Sequence, residues 1–456
     1  MRIDHDSIGE ITISDDCYWG AQTERSFKNF PVGRKIPNDF IKSYAVLKKC
    51  AAKSNSSIGI INSDYEKLIV SACDEIIDGK LYKHFPLKIF QTGSGTQTNM
   101  NLNEVISNRS NEMFGNPLGT YAPIHPNDHV NASQSSNDTF PTAMHICLCE
   151  QIYEKLIPSL NKIINSFEKK EVEFNHIIKI GRTHLQDATP ITMGQVFSSY
   201  KSQLKHAFNN IIDCMPRLKS LAIGGTAVGT GINCPDGFTE NFINHLNDLI
   251  PYNFTQNENK FEGIAAHDAI VQFSGALNLL AVSLNKIIHD LRMLASGPRC
   301  GLGELTFPQN EPGSSIMPGK VNPTQAEAIS MICMQVIGNN LATTLGGING
   351  HFELNTYKPL IFYNTYESIN ILHMGINQFN DMCLSGISAN EEKIKELMSN
   401  SLMLVTALAP KLGYEVSASI AKKAYKENKS LKEIAVGEGY ITNESFDDLI
   451  NPEKMI

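Results

Sequence analysis

The sequence predicts a mainly α-helical fold around a central bundle of five long helices, and three observations carry that expectation. Apolar residues recur at steps of three or four over several long stretches, the period of a helix with one buried face. Strand-like alternation is confined to short patches such as Ile11-Thr12-Ile13. The chain has 456 residues, 42% of them apolar, enough to bury a large core without staples.

Residues 1–135 are expected to form a mixed, mostly helical first domain: a brief strand at 11–13, modest helices over 40–54 and 63–77, and a turn at Gly93-Ser94-Gly95-Thr96 that opens a helix over 97–111. A bundle domain over 136–360 follows. Cys149, Ile152, Leu156, Leu160, Ile163 and Phe167 share one helix face, with Pro158 expected to kink it. Met193, Val196, Tyr200, Leu204, Phe208, Ile211, Met215 and Leu218 share another. The clearest seam is Ile270, Phe273, Leu277, Leu280, Leu284, Ile287, Leu291 and Leu294. Because Val271, Ala276, Leu279, Val282 and Ile288 occupy its other faces, this helix is expected to be buried all round, inside the chain or against other copies. Segments 323–345 and 359–384 complete the five, and 361–456 is read as a small helical C-terminal domain.

A net charge of −8 and a pI near 5.9 argue against a nucleic-acid or anionic-membrane surface. Ten cysteines lie between Cys17 and Cys383 without a Cys-x-x-Cys spacing, a pattern suited to a reducing compartment rather than to zinc or a redox dithiol. No uninterrupted apolar run approaches the roughly 20 residues of a membrane helix. The start, Met1-Arg2-Ile3-Asp4-His5-Asp6, lacks the apolar core of a signal peptide. A cytoplasmic protein without membrane partners is expected.

The chemistry centres on Gly313-Ser314-Ser315-Ile316-Met317-Pro318-Gly319-Lys320-Val321-Asn322-Pro323. Two glycines free the backbone, and Asn322-Pro323 reads as an N-cap with proline at the first helical position. A helix start beside a lysine attracts anions, and two serine hydroxyls stand a few residues ahead of it. A solvated loop with an ordinary cap has the same ingredients, so this stretch alone leaves both readings open. Likewise Ser94, Thr96 and Asn137 are either helix caps or ligand donors. His125-Pro126-Asn127-Asp128-His129 brings two imidazoles and a carboxylate together, but a proline and a turn do not place them on one helical face; no metal or cofactor is expected.

Several runs add up to more than any one. They are Tyr18-Trp19-Gly20-Ala21-Gln22-Thr23, Thr92 to Asn101, His125-Pro126-Asn127-Asp128, Ser135-Ser136-Asn137-Asp138, Gly181-Arg182-Thr183-His184-Leu185-Gln186-Asp187, Gly224 to Gly231, and the loop 313–323. Together they resemble the fumarase/aspartase superfamily, and in detail class II fumarases, over nearly the whole chain. Gly319, the Thr324-Gln325 pair and the wording of 93–96 favour the fumarases over their ammonia-lyase relatives.

The resemblance implies a three-domain fumarase/aspartase-like fold, a homotetramer with a twenty-helix core, and active sites shared by three subunits. It implies reversible, metal-independent hydration of fumarate to malate through C3 proton abstraction and an aci-carboxylate. Ser314 is then the base and His184 the acid, acting through a bound water, with Glu327 pairing His184 to set its tautomer. The implied dicarboxylate contacts are Ser94, Gly95, Thr96, Ser135, Ser136, Asn137, Thr183, Ser315, Lys320, Val321 and Asn322. A second dicarboxylate site is implied at His125, Pro126, Asn127 and Asp128, although Tyr121-Ala122-Pro123-Ile124 offers no basic residue just before it.

The residue types fit that chemistry. A four-carbon dianion needs converging donors, and a base alone supplies only about 10²–10⁴ in rate, so donors that meet the charge building on the carboxylate are needed as well. Histidine's ordinary pKa suits proton exchange near neutrality. Two other readings remain: a relative that expels ammonia or a larger amine, and an oligomer that keeps the scaffold without catalysis.

Overall fold

Two antiparallel strands, β1 (Arg2–Asp6) and β2 (Gly9–Ile13), begin the chain, paired from Arg2 opposite Ile13 to Asp6 opposite Gly9. The structure is a computed structural model and describes residues 1–456. Helices α1 (Ala21–Asn29), α2 (Asn38–Ser57) and α3 (Ser63–Ile77) follow, and α4 (Thr96–Phe114) packs against α1 and α3. Asn62 caps α3 by accepting from the Asp64 and Tyr65 N–H groups. No residue of α1 does this for its own start; instead the buried Glu104 carboxylate of α4 accepts from the Gly20, Gln22 and Thr23 amides at 2.9, 2.9 and 3.2 Å. Burial pushes the Glu104 pKa up to about 7 against those donors.

The first long helix is α5 (Ser136–Gln151) running through a π turn, Ile152–Leu156, into α6 (Ile157–Glu173). The irregularity expected at Pro158 lies in the turn before it, where the Ile157 N–H reaches back five residues to Ile152 O. Proline has no N–H and crowds the carbonyl four residues earlier, so the preceding turn widens. A hairpin of β3 (Ile178–Thr183) and β4 (Gln186–Thr192) comes next, then α7 (Met193–Leu218), α8 (Phe238–Leu249), α9 (Lys260–Ala265), α10 (Asp268–Leu294), α11 (Thr324–Ile348) and α12 (Lys358–Met382). The five long helices thus fall where the apolar period put them.

By packing, the chain forms two units. One comprises Met1–Pro158, Asn209–Ala281 and Met334–His373, the other Ser159–Phe208, Val282–Cys333 and Met374–Ile456. In α10 the expected seam is closed: Ile270, Phe273, Leu277, Leu280, Ile287 and Leu291 have no exposure. Burial inside the chain covers only part of the helix: Leu279 and Val282 on the outer face are 42% and 49% exposed in the single chain, which leaves that face for the other expected cover, another copy. By length and composition α10 and α11 are also apolar enough to cross a membrane, which a search for uninterrupted apolar runs misses. The C-terminal stretch contributes α13 (Glu391–Asn400) and further helices around a core of Met398, Leu404, Leu408, Ile420, Ile434 and Phe446, against which Ile180 of β3 packs.

Candidate active site

Two helix starts meet at a chain of hydroxyls. Ser94 Oγ lies 2.7 Å from Thr96 Oγ1, and Thr96 Oγ1 lies 2.8 Å from Ser136 Oγ, joining the beginnings of α4 and α5. Close packing forces the approach: a Cβ on Gly93 would sit 1.3 Å from Thr356 O, and one on Gly95, whose φ is +79°, 2.0 Å from the Phe140 ring. Position decides which of these residues cap a helix. Ser135 is the cap of α5, accepting from Asn137 N at 3.2 Å in a reciprocal box with Asp138. Ser94 and Thr96 cap nothing, since α4 starts from Gly95 without a side-chain cap, and Asn137 Nδ2 donates to Ala227 O at 2.8 Å. The first-turn amides of α4 and α5 that are not taken by Gln91 Oε1 or Ser135 Oγ suit an anion.

Behind this cradle the polar groups are interlocked. Asp138, fully buried, accepts from Ser135, Gly224 and Thr226 amides at 3.0, 3.0 and 2.9 Å, and burial lifts its pKa to about 6. Asn131 Oδ1 accepts from Lys48 Nζ, Asn99 Nδ2 and Asn103 Nδ2 at 3.1, 3.0 and 3.1 Å. Lys48 has no exposed surface, and burial lowers its pKa to about 7. Sequence reasoning gave Asp138 no role; the Ser-x-x-Asp spacing of a capping box was the available signal.

The loop 313–323 is held by its own backbone. Gly313 N donates to Lys320 O at 3.0 Å, Asn322 Nδ2 donates to Gly313 O at 2.5 Å, and a Cβ on Gly313 would meet Lys320 O at 2.3 Å. Ser314 Oγ accepts from the Ile316 and Met317 amides at 3.2 and 3.0 Å. Ser315, Lys320 and Val321 are exposed. The expected cap moves by one residue: α11 starts at Thr324, Pro323 O accepts from Glu327 N at 3.0 Å, and the Asn322 side chain ties the loop's ends together instead.

His184 and Leu185 form the two-residue turn between β3 and β4, with Thr183 opposite Gln186. Their φ values are +56° and +60°, the conformation of a type I′ turn that Gly and Asn usually supply. Each costs roughly 1–2 kcal/mol of backbone strain, and the tip is exposed, Leu185 by 74%. At the base, Arg182 and Lys179 reach the buried Glu304 carboxylate at 2.8 and 3.2 Å. Glu327 makes an ion pair with Arg292 at 3.4 Å, and within one chain no hydrogen bond joins it to His184.

His125 caps the one-turn helix Pro126–Val130, its Nδ1 accepting from the Asn127 and Asp128 amides at 3.3 and 3.2 Å. His129 Nδ1 accepts from His125 N at 2.8 Å. Each imidazole uses its Nδ1 on the turn, and no three acidic, His or Cys side chains anywhere in the chain are grouped to hold a metal ion.

Comparison with known proteins decides the family. A family model described as "Lyase" matches residues 9–338, and one described as "Fumarase C C-terminus" matches 404–456. The chain is 52% identical to the mitochondrial fumarate hydratase of Rhizopus oryzae, covering 100% of this chain and 93% of that protein. To the class II fumarate hydratase of Rhizobium meliloti (strain 1021) it is 51% identical, with 100% and 98% covered. The chain belongs to the class II fumarate hydratase family. Among solved structures, class II fumarase from Schistosoma mansoni superposes with a TM-score of 0.97 at 44% identity, covering 100% of this chain and 98% of that one. Within this class II fumarate hydratase fold, one packing unit carries the cradle of Ser94, Thr96, Ser136 and Asn137 and the turn at His125. The other carries the tip at His184 and the loop of Ser314, Lys320 and Asn322.

Proposed function

We propose that this chain catalyses the reversible hydration of fumarate to L-malate. Membership of the class II fumarate hydratase family over its whole length carries the reading. In the malate direction of attack, Ser314 takes the C3 proton. Two amide donors on Ser314 Oγ favour its alkoxide, and Lys320 in the same loop adds a cation. The electron pair left on C3 delocalises into the adjacent carboxylate, giving an aci-carboxylate whose extra charge Lys320, Asn322 and nearby amides meet. Hydroxide then leaves C2 as water, protonated from His184 through a bound water, with Glu327 aligning the imidazole. The other substrate carboxylate rests on Ser94, Thr96, Ser136 and Asn137, where two helix starts and three hydroxyls converge. His125, Asn127 and Asp128 are proposed as a second, surface dicarboxylate site.

The reaction needs no metal or organic cofactor in this scheme. A homotetramer whose sites draw on three copies accompanies it. The apolar outer stripe of α11 supports association: Met331, Met334, Ile337, Leu341, Leu345 and Ile348, from 39% to 71% exposed, recur at steps of three or four. Ten free thiols support a reducing compartment, and the cytoplasm is proposed. The deciding experiment is addition of malate, and separately aspartate, to purified protein while the ultraviolet absorbance of the new double bond is followed, with and without prolonged chelation. Absorbance rising with malate alone, unchanged by chelation, is expected; turnover of aspartate instead overturns the assignment.

A further inference from the structure

A cavity of about 440 Å³ opens within the first packing unit, lined by none of the residues given roles above. Its wall runs along α5, where Pro141 and His145 follow Asn137 at intervals of four residues, and it is closed by α9 and the start of α10. The floor holds two imidazoles that the proposed reaction does not use. His145 is 9% exposed, and its Nδ1 lies 2.8 Å from Leu218 O. A carbonyl only accepts, so Nδ1 carries the proton and Nε2 is left as a bare lone pair with no partner in the chain. His267 is 2% exposed, and neither of its ring nitrogens has a hydrogen-bond partner. Burial holds both rings neutral, His145 with its pKa lowered to about 4 and His267 well below its ordinary value, where the charge of Lys358 adds to the effect.

The rim is acidic. Glu258, Glu262 and Asp268 face a single guanidinium, that of Arg217, which lies 3.7 Å from Glu262. A dicarboxylate is repelled there, and the carboxylates and imidazoles are not grouped to hold a metal ion. Acceptors on the rim, a lone pair on the floor and the apolar faces of Pro141 and Ala266 between them define the complement: a cationic head, a short hydrocarbon stem and a second N–H donor. We propose that this cavity binds a small organic cation of the amine or guanidine class, with its charged head among Glu258, Glu262 and Asp268 and an N–H donated to His145 Nε2. The inference stands independently of the hydratase reading.

The test is titration calorimetry on the full-length protein with 1,4-diaminobutane, butane-1,4-diol and succinate, which share one carbon skeleton and differ in charge. Saturable binding of the diamine alone is expected, weakened at least tenfold in the double variant Glu258→Gln/Glu262→Gln and by raised salt. Both substituted residues are exposed, so the variant keeps its fold and its turnover of malate. His145→Gln, which keeps a polar group on the floor, is expected to weaken the diamine as well. Absence of saturable heat with the diamine, equal binding of the diol, or undiminished binding by the double variant overturns the proposal. So does a structure of the assembled protein in which another copy's chain fills the cavity.

Discussion

The cradle and the loop 313–323 are both built where a helix begins, yet they are supported in opposite ways. The cradle is half-buried, tied side chain to side chain from Ser94 to Ser136, and backed by buried Asp138 and Lys48. The loop is exposed and braced from within, by its own backbone, Asn322 and the Ser314 hydroxyl, with Ile316 82% exposed. In the proposed mechanism the difference separates holding from reacting: a cross-braced pocket would fix a ligand's orientation at little entropic cost, whereas a self-braced loop would present a base able to close and open. In the same proposal the strained, exposed turn at His184 belongs with the loop, as a group aimed at a ligand or another copy, since nothing in its own chain relieves that strain.

The sharpest way to break the comparison is Ser314→Ala. Turnover is expected to fall by about 10²–10⁴ while KM moves little, since the cradle still holds substrate; a variant that loses binding rather than kcat puts Ser314 on the holding side. Next in size, His184→Asn keeps a residue that tolerates positive φ and removes the proton carrier, so kcat is expected to drop by about 10² or more with unchanged thermal stability. Near-normal turnover removes His184 from the chemistry.

Thr96→Val cuts the hydroxyl chain at its centre with little change of shape. One lost hydrogen bond of about 1–1.5 kcal/mol corresponds to roughly a tenfold rise in KM, with kcat nearly kept; a fall in kcat at constant KM means that the cradle also acts on the transition state. The smallest effect concerns Lys48, whose folded pKa, about 7, lies below its ordinary value of 10.5. Between those values the unfolded chain binds more protons, so stability is fully present above pH 10.5 and is lost as pH falls through about 7. Urea midpoints measured at pH 7, 8 and 9 are expected to rise more steeply in the natural protein than in Lys48→Met. Parallel curves place the amine's proton balance elsewhere.

Much of this was legible without coordinates where the determinant is local. The seam Ile270–Leu291 announces a helix because the period of the residues is the period of the backbone. The capping box of Ser135 through Asp138 was legible on the same grounds, in four consecutive residues, although sequence reasoning uses that run only as part of a family resemblance. The π turn before Pro158 and the one-residue shift of the α11 start were missed because element ends are set by which carbonyl finds a donor. The hairpin at 178–192 escaped for another reason: its turn uses His184 and Leu185, residues that do not ordinarily announce a left-handed turn.

By itself, then, the order of residues determined the helices, their buried faces and the family, since those follow from periodicity and from motifs read along the chain. Only the tertiary structure decided which hydroxyls cap and which stay available, that Glu104 serves the start of a helix whose Thr23 is 81 positions distant in sequence, and that two neutral histidines floor an acidic cavity. Each of these depends on burial and on hydrogen bonds between remote segments, and neither quantity exists until the chain has packed.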